Sequence, residues 1–381
     1  MDFGWSETQE RYRQEVIAFA QSELNDDVVG RDAAARHSPQ AWKKCADFGI
    51  QGLPVPEEYG GRGVDPLTLM MALEALGYGC TDNGLLFSLG AQMWSAQAPL
   101  VRFGSEDQKR RYLPGLCDGS LIGIQAMTEP GSGSDAFSLT TTAEKRGDRY
   151  VLNGTKTYIT NASLADVILA FVTTDPTKGF LAISAVLVDR DTPGLSIGAP
   201  FDKMGLRTVP MSEVRFDDCE VPDEHVLGRP GNGLAIFNHS MEWERSYILA
   251  GALGTMARQL EGAVAYARTR EQFGQPIGKF QAVAHRIVDM KLRLRTGQLL
   301  LYELAWLRSQ GRSTKLESAM AKLWVSEAFL QTSLDTLFVH GGAGYMRGLG
   351  LERDVRDAVA GCIYSGTSDI QRNLIAGQLG L

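Results

Sequence analysis

Helical spacing of apolar residues is interrupted once along this chain, and that interruption limits the folds open to it. Up to about residue 120, and again from Gly233 onward, apolar residues recur three or four positions apart, as on one side of a helix. Between these regions lie Val167–Thr173, Leu181–Val188 and Glu213–Phe216, which are short and rich in β-branched or apolar residues. Pro176, Gly179, Pro193 and Gly194 punctuate them. Tyr150-Val151-Leu152 and Lys156–Thr160 flank Asn153-Gly154, a pair that tolerates positive φ and predicts a hairpin turn. The order helices, strands, helices implies a mostly α chain with a central β domain, a barrel or sandwich. We divide it into an N-terminal α-helical domain (1–120), a middle β domain (121–232) and a C-terminal helical domain (233–381).

Within the first part, Ser6 and Gln9 have capping-box spacing, and Tyr12, Val16 and Phe19 follow on one helical face. Leu67–Leu76 and Asn83–Phe103 continue the helical pattern, and Pro54–Gly63 breaks it with a loop. In the last part, helices are predicted at about 233–270, 280–310 and 313–340, broken at Phe273-Gly274 with Pro276 and Gly278, and at Gly311. A final helix is predicted to start near Ser368, which has capping-box spacing to Gln371, with an apolar face of Ile370, Leu374, Ile375 and Leu379.

Composition narrows the functional classes. With 44% hydrophobic and 22% charged residues, the 381-residue chain reads as globular, long enough for two or three domains. A net charge of -7 argues against a nucleic-acid-binding surface. Lys109-Arg110-Arg111, beside Glu106 and Asp107, reads as a solvated helix face or as a docking patch for an acidic partner. The start Met1–Trp5 lacks the basic and apolar character of a signal peptide, and no apolar run is long enough to cross a bilayer. Cys45, Cys80, Cys117, Cys219 and Cys362 are scattered, odd in number and free of CxxC spacing, as expected of reduced thiols in a cytoplasmic protein. The histidines are equally dispersed, so no metal site is expected.

One carboxylate stands out. On the helix after Gly233, Leu234, Phe237, Met241, Glu244, Ile248 and Gly251 are spaced three or four apart, placing Glu244 inside an apolar stripe. Apolar surroundings disfavour a charged carboxylate, which raises its pKa and strengthens it as a base. Such a residue serves either as a general base or as a structural partner of a cation such as Arg245. Gly131-Ser132-Gly133-Ser134-Asp135 reads as a phosphate cradle or a tight turn. The turn Tyr364–Thr367 points free amides at an anion or polar cofactor, or at nothing.

In order along the chain, a set of motifs resembles the acyl-CoA dehydrogenase family over essentially its whole length. They are Pro56-Glu57-Glu58-Tyr59-Gly60-Gly61, Met127-Thr128-Glu129-Pro130 with Gly131–Asp135, and Lys156-Thr157-Tyr158-Ile159-Thr160-Asn161. Lys203-Met204-Gly205-Leu206-Arg207, Arg270-Glu271-Gln272-Phe273-Gly274, Gly341-Gly342-Ala343-Gly344-Tyr345 and Gly366–Arg372 complete the set. The resemblance implies FAD held between the β domain and a C-terminal four-helix bundle, contacted by Met127, Thr128, Ser134, Tyr158 and Thr160, with Thr367 and Asp369 nearby. It implies further FAD contacts from Arg270, Gln272, Phe273, Gln281, Gly341 and Gly342 of a neighbouring subunit, in a homotetramer or dimer. Phe338 stands where the family often has glutamine.

A second departure concerns the base. Most members carry a catalytic glutamate directly before the Gly-Thr of the last motif, where this chain has Ser365. A minority carries the base on the earlier helix, directly before an arginine, where this chain has Glu244-Arg245. The resemblance therefore implies catalysis by Glu244, with the backbone N–H of Ser365 as an oxyanion donor, and Met241 and Arg245 against the substrate. Ser240–Glu244, Ile277–Gln281 and Asp289–Leu294 are especially similar to the branch that oxidises carrier-protein-bound acyl groups in secondary metabolism, including prolyl-carrier-protein dehydrogenases and oxidases. The implied substrate is an acyl thioester on a carrier protein or CoA, with an electron-transfer flavoprotein or oxygen as acceptor. Other readings are an ordinary dehydrogenase of short or branched acyl-CoA, an oxygen-using oxidase or hydroxylase, an enoyl-thioester reductase, and a flavin-poor helical scaffold.

Overall fold

The computed structural model describes residues 4–381. Met1-Asp2-Phe3, part of the start read as lacking signal-peptide character, lies outside them. The first part is helical: α1 (Glu7–Glu23), α2 (Val28–Ala33), α3 (Pro39–Phe48), α4 (Pro66–Gly79), α5 (Asn83–Gln92), α6 (Ala98–Phe103) and α7 (Glu106–Asp118). The predicted capping box is present. Ser6 Oγ accepts from the Gln9 N–H at 3.2 Å, and the Ser6 N–H donates to Gln9 Oε1 at 3.1 Å. Val16 is buried, with Tyr12 and Phe19 packed beside it. The predicted helix Asn83–Phe103 carries a one-turn π-helix, Met93–Gln97, between α5 and α6, a device often found at functional sites.

Seven strands follow: β1 (Gly123–Ala126), β2 (Thr142–Arg146), β3 (Arg149–Thr160), β4 (Val167–Thr173), β5 (Ile183–Asp189), β6 (Leu195–Ile197) and β7 (Met211–Pro222). They form one sheet in the order β1-β4-β2-β3-β7-β6, with β5 also on β4. β4 is buried on both faces, which explains its unbroken apolar sequence. Ile168, Ala170 and Val172 face the interior of the curled sheet, whereas Val167, Leu169 and Phe171 pack with Tyr112, Leu113 and Leu116 of α7.

Asn153-Gly154 is not a hairpin turn. It lies inside β3, where a register shift against β7 marks a bulge. Gly154 has φ +146°, and a Cβ there would come within 2.6 Å of Thr141 Oγ1. The glycine serves a bulge and a close approach; the real turn is Gly147-Asp148, with Gly147 at φ +62° and Arg146 paired to Arg149.

The last part comprises α8 (Gly233–Tyr247), α9 (Ala250–Thr269), a small hairpin of β8 (Glu271–Gln272) and β9 (Gln275–Pro276), α10 (Gln281–Ser309), α11 (Lys315–His340), α12 (Leu351–Gly361) and α13 (Ser368–Gln378). The helix expected over 233–270 is therefore two, broken at Ile248-Leu249, where Leu249 has ψ 5°. The break sets α9 close against α4. A Cβ on Gly254 would lie 2.0 Å from the Glu74 carbonyl, and one on Gly77 2.0 Å from that of Gly251. The cap of α13 is Thr367, one residue earlier than expected: its Oγ1 accepts from the Ile370 N–H at 3.2 Å. Of the apolar face predicted for α13, Leu374 and Leu379 are exposed, and Gln371 is the buried residue. The long helices α9, α10 and α11 are completed as a bundle by α12 and α13. Among the described residues the five cysteines are unpaired, and no helix is long and apolar enough to cross a membrane.

Candidate active site

Glu244 sits near the end of α8 and is only 9% exposed. Two hydroxyls hold its carboxylate. Ser95 Oγ donates to Oε2 at 2.6 Å, and Ser365 Oγ donates to Oε1. Ser95 lies in the π turn, so the extra residue in that turn helps to aim this hydroxyl at α8. α8 is tied to the sheet by Ser240 Oγ, which donates to Gln125 Oε1 of β1 at 2.9 Å.

The turn before α13 is held from three sides. Gln371 Nε2 donates to the Ser365 and Gly366 carbonyls at 3.0 and 2.9 Å, Arg245 Nε donates to Ser365 O at 3.3 Å, and Lys322 Nζ donates to Gly366 O at 2.7 Å. Burial lowers the Lys322 ammonium to about 8 and lowers Arg245 from its ordinary value, with Glu244 and Glu242 opposing the latter. Ser365 and Gly366 both have positive φ, 55° and 86°. With its carbonyls engaged, the turn leaves the Ser365 N–H without a protein acceptor among the described residues. Beyond Tyr364, whose ring lies 4.6 Å from that of Phe87, is a cavity of about 50 Å³ lined by Trp94, Tyr247, Ile248 and Leu206.

The β-domain residues form a second group. Met127 is buried, its carbonyl accepts from Lys156 Nζ at 3.1 Å, and the Thr128 carbonyl accepts from the Thr157 N–H at 2.8 Å. Lys156 Nζ also pairs with Glu129 Oε1 at 2.8 Å, both side chains being out of solvent. Burial acts to raise Glu129, but Lys156 and the Thr140 and Thr141 donors outweigh it and bring the carboxyl to about 2. A second register shift, between Lys156 and Ile159, turns Tyr158 outward at φ +57°, leaving it 63% exposed. Thr160 is half-buried beside it, and Ser134 is exposed on the Gly131–Asp135 turn, where Ser132 Oγ donates to Asp135 O at 2.6 Å.

The structure brings Glu244, Ser365, Arg245 and Met241 together, with Thr367 and Asp369 just beyond the Ser365 turn. Arg270, Gln272, Phe273, Gln281, Gly341 and Gly342 are elsewhere. All are exposed, at the far end of α9. The 20 residues of that helix span about 30 Å, so within one chain they do not reach Glu244. Phe338 is also exposed, under the Arg286 guanidinium at 5.1 Å. Of the basic cluster, Arg110 pairs with Glu106, Arg111 pairs with Asp189, and Lys109 lies over Tyr59.

Sequence reasoning missed Ser95, Lys322 and Gln371. Lys322 was within reach of the argument that found Glu244, since Ser318, Lys322, Val325 and Phe329 recur on one buried face of α11. Ser95 gave no such signal, because the π turn that orients it has none.

A chain of helices around a central sheet, with a buried glutamate facing the turn before the last helix, has the architecture of an acyl dehydrogenase. The chain belongs to the acyl-CoA dehydrogenase family. Its N-terminal, middle and C-terminal domain models match residues 6–120, 125–219 and 231–380. It is 41% identical to the L-prolyl-[peptidyl-carrier protein] dehydrogenase of Pseudomonas fluorescens, over all of both chains, and 38% identical to the short-chain specific acyl-CoA dehydrogenase of Rattus norvegicus mitochondria, over 98% of this chain and 90% of that one. Among solved structures it is similar to the prolyl acyl carrier protein oxidase AnaB, with a TM-score of 0.98, 49% identity and coverage of 99% of this chain and 100% of that one. It is also similar to PigA with FAD and proline, with a TM-score of 0.98, 41% identity and full coverage of both.

Proposed function

We propose that this chain is an FAD-dependent dehydrogenase of a carrier-protein-bound prolyl or short acyl thioester, with Glu244 as the base. The observation that carries this reading is the Glu244 carboxylate, buried yet held by two hydroxyls beside the Ser365 N–H. Similarity to the prolyl-carrier-protein enzymes supports the carrier-bound substrate.

The residues present fit a flavin. Tyr158 offers an exposed aromatic face at the end of β3, and the buried Ser368 Oγ at the start of α13 has no protein partner. Met127, Thr128, Tyr158 and Thr160 would hold the ring system, Ser134 the polar chain, and Thr367 and Asp369 the side facing α13. Bound FAD supplies a hydride acceptor for the substrate's β-carbon. Glu244 takes the α-proton, so the Cα–H electron pair becomes the new double bond as the β-hydrogen leaves with its pair. The Ser365 N–H donates to the thioester carbonyl oxygen, where negative charge develops. Met241 and Arg245 line the approach, and Arg245 also fixes the turn that carries the donor.

The exposed Arg270, Gln272, Phe273, Gln281, Gly341 and Gly342 serve FAD of a second copy in a homo-oligomer. Supporting this is apolar surface left bare on the bundle: Val288, Leu292, Leu299 and Trp306 of α10, and Trp324 of α11. The enzyme acts in the cytoplasm and passes electrons to an electron-transfer flavoprotein or oxygen. Anaerobic mixing with matched prolyl-carrier and prolyl-CoA thioesters tests the substrate: flavin bleaching at least about tenfold faster with the carrier form, a difference of about 1.4 kcal/mol, is expected. Preference for short aliphatic acyl-CoA would assign the chain to ordinary acyl-CoA oxidation.

A further inference from the structure

Lys322 is fully buried on α11, and among the described residues no carboxylate lies within ion-pair distance of it. Its ammonium donates to the Gly366 carbonyl at 2.7 Å and stands 5.9 Å from the centre of the Tyr364 ring. That carbonyl already has another donor, Gln371 Nε2 at 2.9 Å, which also reaches Ser365 O, where Arg245 Nε donates as well. The turn is therefore tied down without Lys322. A buried cation without a counter-charge is costly, and burial brings this ammonium down to about 8. A neutral side chain of the same shape would fill the space at less cost, so what the lysine adds is its charge.

The turn gives that charge something to act on. Ser365 and Gly366, both at positive φ, have their carbonyls on the two cations and Gln371, whereas the N–H groups of Ser365, Gly366 and Thr367 have no protein acceptor among the described residues. A cation on a carbonyl polarises the peptides behind it, so the free amides become stronger donors. The Glu244 carboxylate is held instead by the hydroxyls of Ser95 and Ser365. Polarised amides thus favour negative charge in front of the turn over negative charge on Glu244, and only such a difference raises a rate.

We propose that Lys322 is a positioning residue of the dehydrogenation, its charge on the Gly366 carbonyl making the amides of residues 365–367 the preferred seat of the negative charge that Glu244 gives up. As Glu244 takes the α-proton it becomes neutral, and the Cα–H electron pair shifts charge onto the thioester oxygen. The inference rests on the reading of Glu244 as the base and adds a residue that reaches the reacting atoms only through the turn. The other ionisable groups around the ammonium are Glu244 and Arg245 of α8, Cys362 and Tyr364 after α12, and Glu327, paired with Arg372 of α13.

Lys322→Met keeps the length of the side chain and removes the charge; Lys322→Gln keeps a neutral donor. Both FAD-loaded variants are compared with the parent by thermal melting and by anaerobic flavin bleaching with prolyl-carrier thioester across pH. At about pH 7 bleaching should fall at least about tenfold in both, while melting temperature and flavin content hold or rise. The ratio of parent to Lys322→Met rates should narrow above about pH 9, where the parent's lysine has lost its proton. An amine on the substrate titrates alike in both proteins and cancels from that ratio. The proposal is overturned by parent rates in Lys322→Met, by a ratio independent of pH, or by a parent rate restored in Lys322→Gln. A melting temperature lowered in step with activity, or failure of both variants to fold, would make Lys322 a structural tie and overturn it too. No bleaching of the parent by any acyl thioester would instead remove the dehydrogenase reading itself, and the inference with it.

Discussion

The Ser365 hydroxyl donates to Oε1 of Glu244, so the residue standing where most of the family carries its base here holds the carboxylate that we propose as the base, supplied by another helix. Ser95 supports the other oxygen at 2.6 Å. Hydrogen bonds to a charged group are worth about 1.5–3 kcal/mol, so Ser95→Ala and Ser365→Ala should each slow flavin bleaching about 10- to 100-fold. Bleaching at the parent rate in both variants would show that the hydroxyls only fill space.

The buried Lys156–Glu129 pair fixes the strand that presents Tyr158. Lys156→Met leaves a buried carboxylate unpaired and should cost about 3–5 kcal/mol, read as a lower urea midpoint together with weaker FAD retention. Replacing both, Lys156→Met with Glu129→Leu, should cost less than the single change. Equal losses in the two variants would contradict the pairing argument.

Two acids give stability opposite pH dependences. Glu129, brought to about 2, is protonated more readily in the unfolded chain, so its contribution is present above about pH 5 and is lost as pH falls toward 2. Asp357 is raised to about 7 by burial, against the Leu206 N–H and Asn83, so between about pH 4 and 7 the folded state binds the extra proton and stability falls as pH rises. The urea midpoint should therefore peak at about pH 4 to 4.5 and decline until about pH 7, and Asp357→Asn should flatten that decline. A decline of unchanged slope in the variant would remove Asp357 as its cause.

The contact of α4 with α9 depends on missing side chains. Gly254→Ala puts a Cβ 2.0 Å from the Glu74 carbonyl and should destabilise by about 1–3 kcal/mol or more. Gly262→Ala on the same helix, with nothing within 4 Å of the new Cβ, should be neutral or stabilising. Equal melting temperatures for the two variants would contradict the close-approach account.

Much of this was legible in the chain, for identifiable reasons. β4 announced itself because both its faces are buried, and Glu244 because a charge inside a helical apolar stripe is conspicuous. Asn153-Gly154 misled because positive φ serves bulges as well as turns; the strand continued because β7 pairs across it, a partner more than fifty residues away. The break at Ile248-Leu249 carries no proline or side-chain cap of its own, so nothing local in the sequence announces it. Ser95 could not be assigned without the π turn, and the positions at the far end of α9 have no local signal for which subunit they serve.

The central claim is that Glu244 removes the α-proton. Its most direct test is anaerobic stopped-flow bleaching of FAD-loaded Glu244→Gln by prolyl-carrier thioester, with flavin content and melting temperature matched to the parent. A fall in the reduction rate of about 10²-fold or more, the usual weight of a general base, is the predicted result. Bleaching at the parent rate would contradict the account.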